Sequence, residues 1–242
     1  MKVLCAHVRA TTLELVRMPA YSLSTLAFPS LLFLLFAAPR AGGDAAALMA
    51  GFAAMAVIGV AFFQFGVGIA VERSVPWEAY VRSLPVGAGT RMAARVISGS
   101  AFAVAAAAGV AVTALASTDV SLAPGRWLAV AAALAAGAIP FGLLGVALGY
   151  WAPPRAALPL ANLLLLPLVY AGGLWTAGRH LPDALDGMSG ALPTRRWGEL
   201  VWAATGASAW SPLDVLFLAA YAAAFGALAL WGYRRDEGER FR

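Results

Sequence analysis

The hydrophobic pattern of this chain is one of long, uninterrupted runs. Six stretches lack Asp, Glu, Lys and Arg altogether: Met18–Pro39, Ala45–Val71, Val96–Thr118, Trp127–Pro154, Ala156–Gly178 and Val215–Tyr233. A helix crossing a hydrocarbon core of ~30 Å at ~1.5 Å per residue needs about 20 apolar residues, and each run is of that order. A seventh stretch, Leu200–Leu213, is too short to cross and is rich in Trp, Ser and Gly. Inside a bilayer every backbone N–H and C=O must be paired within the chain, so the long runs are predicted to be helices. The spans fall at about residues 19–38, 45–71, 94–117, 127–150, 157–177 and 212–233. The predicted fold is an all-α integral membrane protein with six transmembrane helices, a single transmembrane domain over 1–242.

The segments between the runs carry patterns of their own. At 100° per residue, Leu4, Cys5, Val8, Leu15 and Val16 share one side of a helix over residues 2–18, with Lys2, Arg9, Glu14 and Arg17 on the other. That pattern predicts a helix lying in the membrane interface. Between the second and third runs, Pro76 is placed to start a helix and Pro85 to stop one. Trp77, Tyr80, Val81 and Leu84 then recur at i, i+3, i+4 and i+7. So short an apolar stripe cannot fold alone, and it requires a surface to dock on. The segment 179–210 is long for a helix connection. It reads as two short helices dipping back toward the membrane, with Asp183 and Thr194 near their first turns. Gly145 and Gly149 in the fourth run permit close helix contact.

Composition and charge sharpen this picture. Of 242 residues, 62% are hydrophobic and 12% charged, and the mean hydropathy is +0.79. A soluble domain has roughly a quarter charged residues, so that class is excluded, as is disorder, which requires low hydrophobicity. The net charge of +5 is explained by topology. With the N-terminus cytoplasmic, the inner segments hold Lys2, Arg9, Arg17, Arg73, Arg82, Arg91, Arg95, Arg155, Arg234, Arg235, Arg240 and Arg242, against Arg40, Arg126, Arg179, Arg195 and Arg196 outside. Twelve against five predicts both termini in the cytoplasm and leaves no need for a nucleic-acid partner. Trp151, Trp175, Trp197, Trp202, Trp210 and Trp231 fall near span ends or in the last outer segment, the pattern of an aromatic belt. The first 38 residues do not read as a signal peptide, because the charged part is too long and so is the apolar part.

The missing residue types exclude several chemistries. The one lysine is Lys2, so no phosphate-cradling G-x-x-x-x-G-K-[ST] loop exists in the chain. His7 and His180 lie outside the runs, so Ser98, Ser100 and Ser208 have no intramembrane base to activate them. One cysteine, Cys5, excludes a disulfide framework, and neither H-x-x-x-H nor paired helical carboxylates offer a metal site. No ionisable group sits at mid-span to couple transport to an ion gradient. Gln64 and Asn162 are the main polar mid-span side chains, each a candidate helix–helix hydrogen bond or substrate contact. The bundle therefore has no energy source of its own.

Three stretches resemble the ABC-2-type transporter permease family, in the style of daunorubicin-type and multidrug exporter subunits. Leu15-Val-Arg-Met-Pro19 followed by Phe28-Pro29 is similar to the family's elbow helix and first span. Glu72-Arg73, Trp77-Glu78 and Ser83-Leu-Pro-Val86 are similar to its cytoplasmic element. Pro167-Leu-Val-Tyr-Ala-Gly-Gly173, Leu181-Pro182 and Leu192-Pro193-Thr194 are similar to its fifth span and re-entrant outer hairpin. The chain departs from the family at Ala171-Gly-Gly173-Leu-Trp, where a Ser-Gly pair and a later Pro are common, and at Val75-Pro76, where a Gly-Thr step is common.

The resemblance implies an elbow helix over 1–18, a coupling loop over 72–92 and a re-entrant segment over 179–210. It implies an exporter subunit in a bacterial inner membrane, dimeric with an identical or related permease subunit and driven by a separate ABC ATPase subunit. ATP and Mg would be bound by that partner, with no cofactor in this chain. Glu72, Arg73, Trp77, Glu78, Tyr80, Val81, Leu84 and Pro85 would couple to the ATPase. Small outer loops favour a hydrophobic small molecule or drug, as in multidrug efflux and antibiotic resistance, over a polysaccharide or lipid-linked polymer. The rival readings are a non-transporting scaffold or immunity-type protein and an intramembrane enzyme; the missing buried His, Lys and carboxylates weigh against the latter.

Overall fold

The computed structural model describes residues 2–17, 19–75, 88–179 and 181–240. Among them the chain is helical throughout, with no strand. Helix α1 (Lys2–Arg17) leads into α2 (Pro19–Leu32), which continues through a π turn at Phe33–Ala37 and a 3-10 turn at Ala38–Arg40. Pro29 has no N–H to give the ladder of α2. A turn later the ladder slips by one residue, the Ala38 N–H bonding the Phe33 carbonyl. Helix α3 (Ala45–Val60), a π segment at Ala61–Val67 and α4 (Gly68–Glu72) together make one long rod. Then follow α5 (Ala88–Ser117), α6 (Pro124–Trp151), α7 (Pro154–Ala171), the short α8 (Asp183–Ser189), α9 (Pro193–Thr205) and α10 (Pro212–Arg240).

Among the described residues six helical stretches are long and apolar enough to cross a membrane: Ser22–Arg40, Gly42–Glu72, Thr90–Ser117, Pro124–Trp151, Pro154–Ala171 and Pro212–Glu237. That is the number the charge-free runs predict. The second is the axis of the bundle, with 83% of its apolar window buried against 17% for the first and last. Its sequence explains this, because a helix that is apolar on every side and built mostly from Ala, Gly, Val and Met can be surrounded. The first, third, fourth and fifth pack around it, and the sixth lies against the fourth. Leu23, Val104, Leu128, Leu163 and Leu216 stand exposed on the outer faces of the first, third, fourth, fifth and sixth. In a bilayer these side chains meet acyl chains.

Glycines set the closest approaches. A Cβ at Gly51 would lie 2.2 Å from the Leu174 carbonyl oxygen, and one at Gly145 would lie 2.2 Å from the Ala61 carbonyl oxygen. Gly149 abuts Ile69 in the same way, at 2.7 Å. The glycine spacing of α6 is therefore the seat of the π segment, as that spacing suggests.

The helix limits differ from the charge-free runs at two places. Helix α5 begins at Ala88 and carries Arg91 and Arg95 within it, because helical backbone continues past the first charge. Helix α7 stops at Ala171, although the apolar run continues to Gly178. Gly173 and Gly178 adopt φ of 73° and 74°, and Ala177 φ of 51°, folding residues 172–178 into tight turns that bury Leu174.

Two expectations about faces need correcting. On α1 the residues turned toward α5 include Leu4, Val8, Thr12 and Leu15, whereas Cys5 and Val16 are exposed. Trp197 and Trp202 do not stand in a belt. They are 0% and 2% exposed, because α9 packs into the bundle against α3, α6 and α10. Trp151, Trp210 and Trp231 retain exposed surface.

Candidate functional site

The first residue beyond α4 gathers three helices. Arg73 Nη1 donates to the Gly149 carbonyl at 2.6 Å and to the Tyr150 carbonyl at 2.8 Å. These carbonyls belong to the last turn of α6, where no further N–H of the helix is available to them and the helix dipole favours a cation. The same guanidinium bonds Asp236 Oδ1 of α10 through Nε at 2.9 Å and through Nη2 at 2.9 Å. It also stands 5.4 Å from the centre of the Tyr150 ring. A planar fork of five donors is what allows one side chain to serve three acceptors.

Aromatic rings extend the junction. Tyr150 meets Tyr233 edge to face at 5.5 Å, and Trp151 meets Trp231 at 4.8 Å. Trp151 Nε1 donates to the Leu228 carbonyl at 3.1 Å, while the Arg235 guanidinium lies 5.4 Å from a Trp151 ring. A small cavity of about 180 Å³ remains among Arg73, Tyr150, Pro153, Gly232 and Asp236.

Glu72 turns the other way. Its carboxylate, half exposed, pairs with the mostly buried guanidinium of Arg95 on α5. Consecutive residues at the end of the second span thus hold the third span on one side and the fourth and sixth on the other. The sequence singles out Glu72 and Arg73 but not Arg95, Tyr150 or Asp236. Asp236 is 163 positions from Arg73, and its one sequence signal is an acid set directly after Arg234-Arg235.

The remaining coupling residues, Trp77, Glu78, Tyr80, Val81, Leu84 and Pro85, lie outside the described residues. The two polar mid-span residues are not brought together. Gln64 sits in the π segment, 6% exposed, and packs beside Gly99 of α5. Neither its Nε2 nor its Oε1 has a hydrogen-bond partner among the described residues. Asn162 faces outward on α7 and donates to the Leu158 carbonyl of its own helix at 3.1 Å.

At the opposite end of the bundle α9 is fastened from below and beside. Trp197 Nε1 donates to the Ala133 carbonyl at 2.8 Å, and the indole stacks on Phe141 at 5.1 Å. Ala133 lies nine residues into α6, about 13 Å along it at ~1.5 Å per residue. Thr194 does not cap α9, and its hydroxyl instead donates to the Leu168 carbonyl at 2.7 Å. Arg196 bonds the Gly190 carbonyl at 2.6 Å and Asp214 of α10 at 3.2 Å. Arg179 pairs with Asp44 at 2.6 Å, joining the turns after α7 to the start of the second span.

Six apolar spans, one of them a buried central rod, define a multi-pass helical membrane protein with polar junctions at the two ends of its bundle. A family model described as "ABC-2 type transporter" matches residues 2–204, and the chain belongs to that family. It is also similar to "Putative transport permease YvfS" of Bacillus subtilis (strain 168), with 26% identity over 183 residues that cover 75% of this chain and 74% of that protein. The match is to a membrane permease, not to a nucleotide-binding ATPase.

Proposed function

We propose that the chain is the permease subunit of an ATP-binding-cassette exporter, acting as a single transmembrane domain that forms the pathway as a dimer and is driven by a separate ATPase subunit. Residues 76–87 would hold the coupling helix, with Trp77, Tyr80, Val81 and Leu84 seated on the ATPase and Glu78 and Pro85 framing that stripe. The observation that carries this reading is the junction immediately before that loop. A push delivered there reaches Arg73 first. Arg73 passes it to the ends of α6 and α10 through Gly149, Tyr150 and Asp236, and Glu72 passes it to α5 through Arg95.

In this reading ATP and Mg are bound by the partner subunit, and closure of the nucleotide domains tilts the spans around the central rod. Helix α1 serves as the elbow, and α8 with α9 as the re-entrant outer hairpin. The depth of Trp197 along α6 supports the latter. The excess of Lys and Arg on one side supports a bacterial inner membrane orientation with both termini cytoplasmic. Gln64, with an unsatisfied buried amide, and Asn162 are the candidate substrate contacts. The otherwise apolar spans favour a hydrophobic small molecule or drug as passenger, which is the basis for reading multidrug efflux or antibiotic resistance.

The test is affinity capture of the tagged protein from native membranes in mild detergent, with mass spectrometry of what accompanies it. A stoichiometric partner bearing a Walker loop, lost on Leu84→Glu, is the expected result. Recovery of the chain alone, or only with copies of itself, from several detergents would favour a non-transporting scaffold instead.

A further inference from the structure

Helix α1 does not close fully on α5. Small polar residues hold the two helices together along one line, with Thr12 Oγ1 and Ser98 Oγ 3.1 Å apart and Ser98 Oγ donating to the Val8 carbonyl at 3.4 Å. A groove of about 520 Å³ remains beside it, walled by Leu4, Cys5, Val8, Leu13 and Ile97, with Thr12 and Arg9 as its polar members.

Three observations indicate what fills it. The wall is almost wholly apolar, so water entering it finds few of the polar partners that ordered water requires. Ile97 belongs to the third membrane span, Thr90–Ser117, seven residues from its start, so the groove opens beside a bilayer-crossing helix. Arg9 is exposed, and no ion pair engages it among the described residues. The one acid of α1, Glu14, follows five residues later, about 140° round the helix at ~100° per residue. An apolar slot with one unneutralised cation at its border matches an acyl chain joined to a negative headgroup.

We propose that the groove between α1 and α5 binds an anionic phospholipid, an acyl chain lying against Leu4, Val8, Leu13 and Ile97 and the phosphate paired with Arg9. The site fastens α1 to the bilayer independently of any transport cycle, so its fate does not depend on the exporter reading. A basic residue at a membrane surface favours an anionic over a zwitterionic lipid by about fivefold.

Cys5, the one cysteine of the chain, lies in the groove wall and supplies the probe. The full chain, labelled there with bimane, is placed in phosphatidylcholine nanodiscs containing increasing brominated phosphatidylglycerol or brominated phosphatidylcholine. Quenching by the anionic lipid is expected to show a relative binding constant about fivefold higher. Arg9→Gln should bring the two lipids to parity. A reference label introduced by Leu163→Cys in a Cys5→Ser background, on the exposed face of α7, should show parity throughout. Native mass spectrometry of the unlabelled protein should find one phosphatidylglycerol retained per chain and lost in Arg9→Gln. Equal quenching by both lipids at Cys5, or a preference that survives Arg9→Gln, overturns the proposal. So does a label that neither lipid quenches, which would place protein in the groove, for instance a second copy of this chain.

Discussion

Arg73 and Asp236 lie 2.9 Å apart although 163 positions separate them, and the pair joins the end of the central span to the last helix of the chain. The carboxylate is nearly enclosed and the guanidinium only one-fifth exposed. Because the guanidinium is shared with the Gly149 and Tyr150 carbonyls, the ends of three spans meet on one side chain.

Loss of either partner removes an ion pair from a largely enclosed site. Asp236→Ala is expected to cost about 2 kcal/mol of stability, less than a fully buried pair because Arg73 keeps two carbonyl acceptors. Arg73→Lys should recover little, since a point charge on a flexible stem does not span three acceptors. A double-mutant cycle of Arg73→Ala with Asp236→Ala, read by unfolding in detergent, should give a coupling of about 1 kcal/mol or more. Strict additivity would mean that the pair joins nothing.

Much of this architecture is legible in the sequence, for a physical reason. Hydrocarbon tolerates neither charge nor unpaired backbone, so the charge-free runs identify six spanning helices with little ambiguity. What the runs do not reveal is where helix gives way to turn when both are apolar. Leu174 and Trp175 look like more of the fifth span, yet the positive φ of Gly173 turns the chain there and Leu174 lodges against Gly51. Nor does local pattern tell a belt tryptophan from a core one. Trp197 is buried because Gly137, sixty positions earlier, leaves room for its indole. At the candidate junction Glu72 and Arg73 stand out by their place at a span end. Their partners Arg95 and Asp236 are distant in the chain and belong to ordinary basic or acidic neighbourhoods, so nothing local marks them.

The contact between Gly51 and Leu174 separates glycines that packing requires from those it does not. A methyl at Gly51 meets backbone at 2.2 Å, which neither a rotamer change nor a flexible side chain relieves. Gly51→Ala should therefore cost about 2 kcal/mol. Gly59, in the same helix, has nothing within 4 Å of its would-be Cβ. Gly59→Ala should fall within about 1 kcal/mol of the parent, on the stabilising side, because alanine restricts the unfolded chain and suits helix better. Thermal unfolding of the two variants side by side decides it, and equal effects would contradict the packing described.

Trp197 tests how firmly α9 is seated. Its ring is wholly buried, stacked on Phe141, and its N–H serves the Ala133 carbonyl. Trp197→Phe keeps most of the apolar contact and gives up the hydrogen bond, for an expected loss of about 1 kcal/mol. Trp197→Ala leaves a large void and should cost about 3–5 kcal/mol. A protease-accessibility assay on residues 179–210 should show early cutting in the alanine variant alone. If both variants resist cutting as the parent does, α9 is held by other contacts.

Gln64 is the polar side chain enclosed within the central span. Its amide lies in the most buried span, inside a π segment, with neither polar atom satisfied by the described residues. A buried amide without partners is destabilising by about 1–3 kcal/mol relative to an apolar group of the same shape. Gln64→Met should therefore raise stability in detergent by about 1 kcal/mol while preserving the packing beside Gly99. If the amide serves the passenger, the same variant should lower transport into inverted vesicles even as it unfolds later. The two readouts moving in opposite directions is the signature of a polar group retained for function. A Gln64→Met protein that unfolds earlier than the parent would show instead that the amide is satisfied and structural.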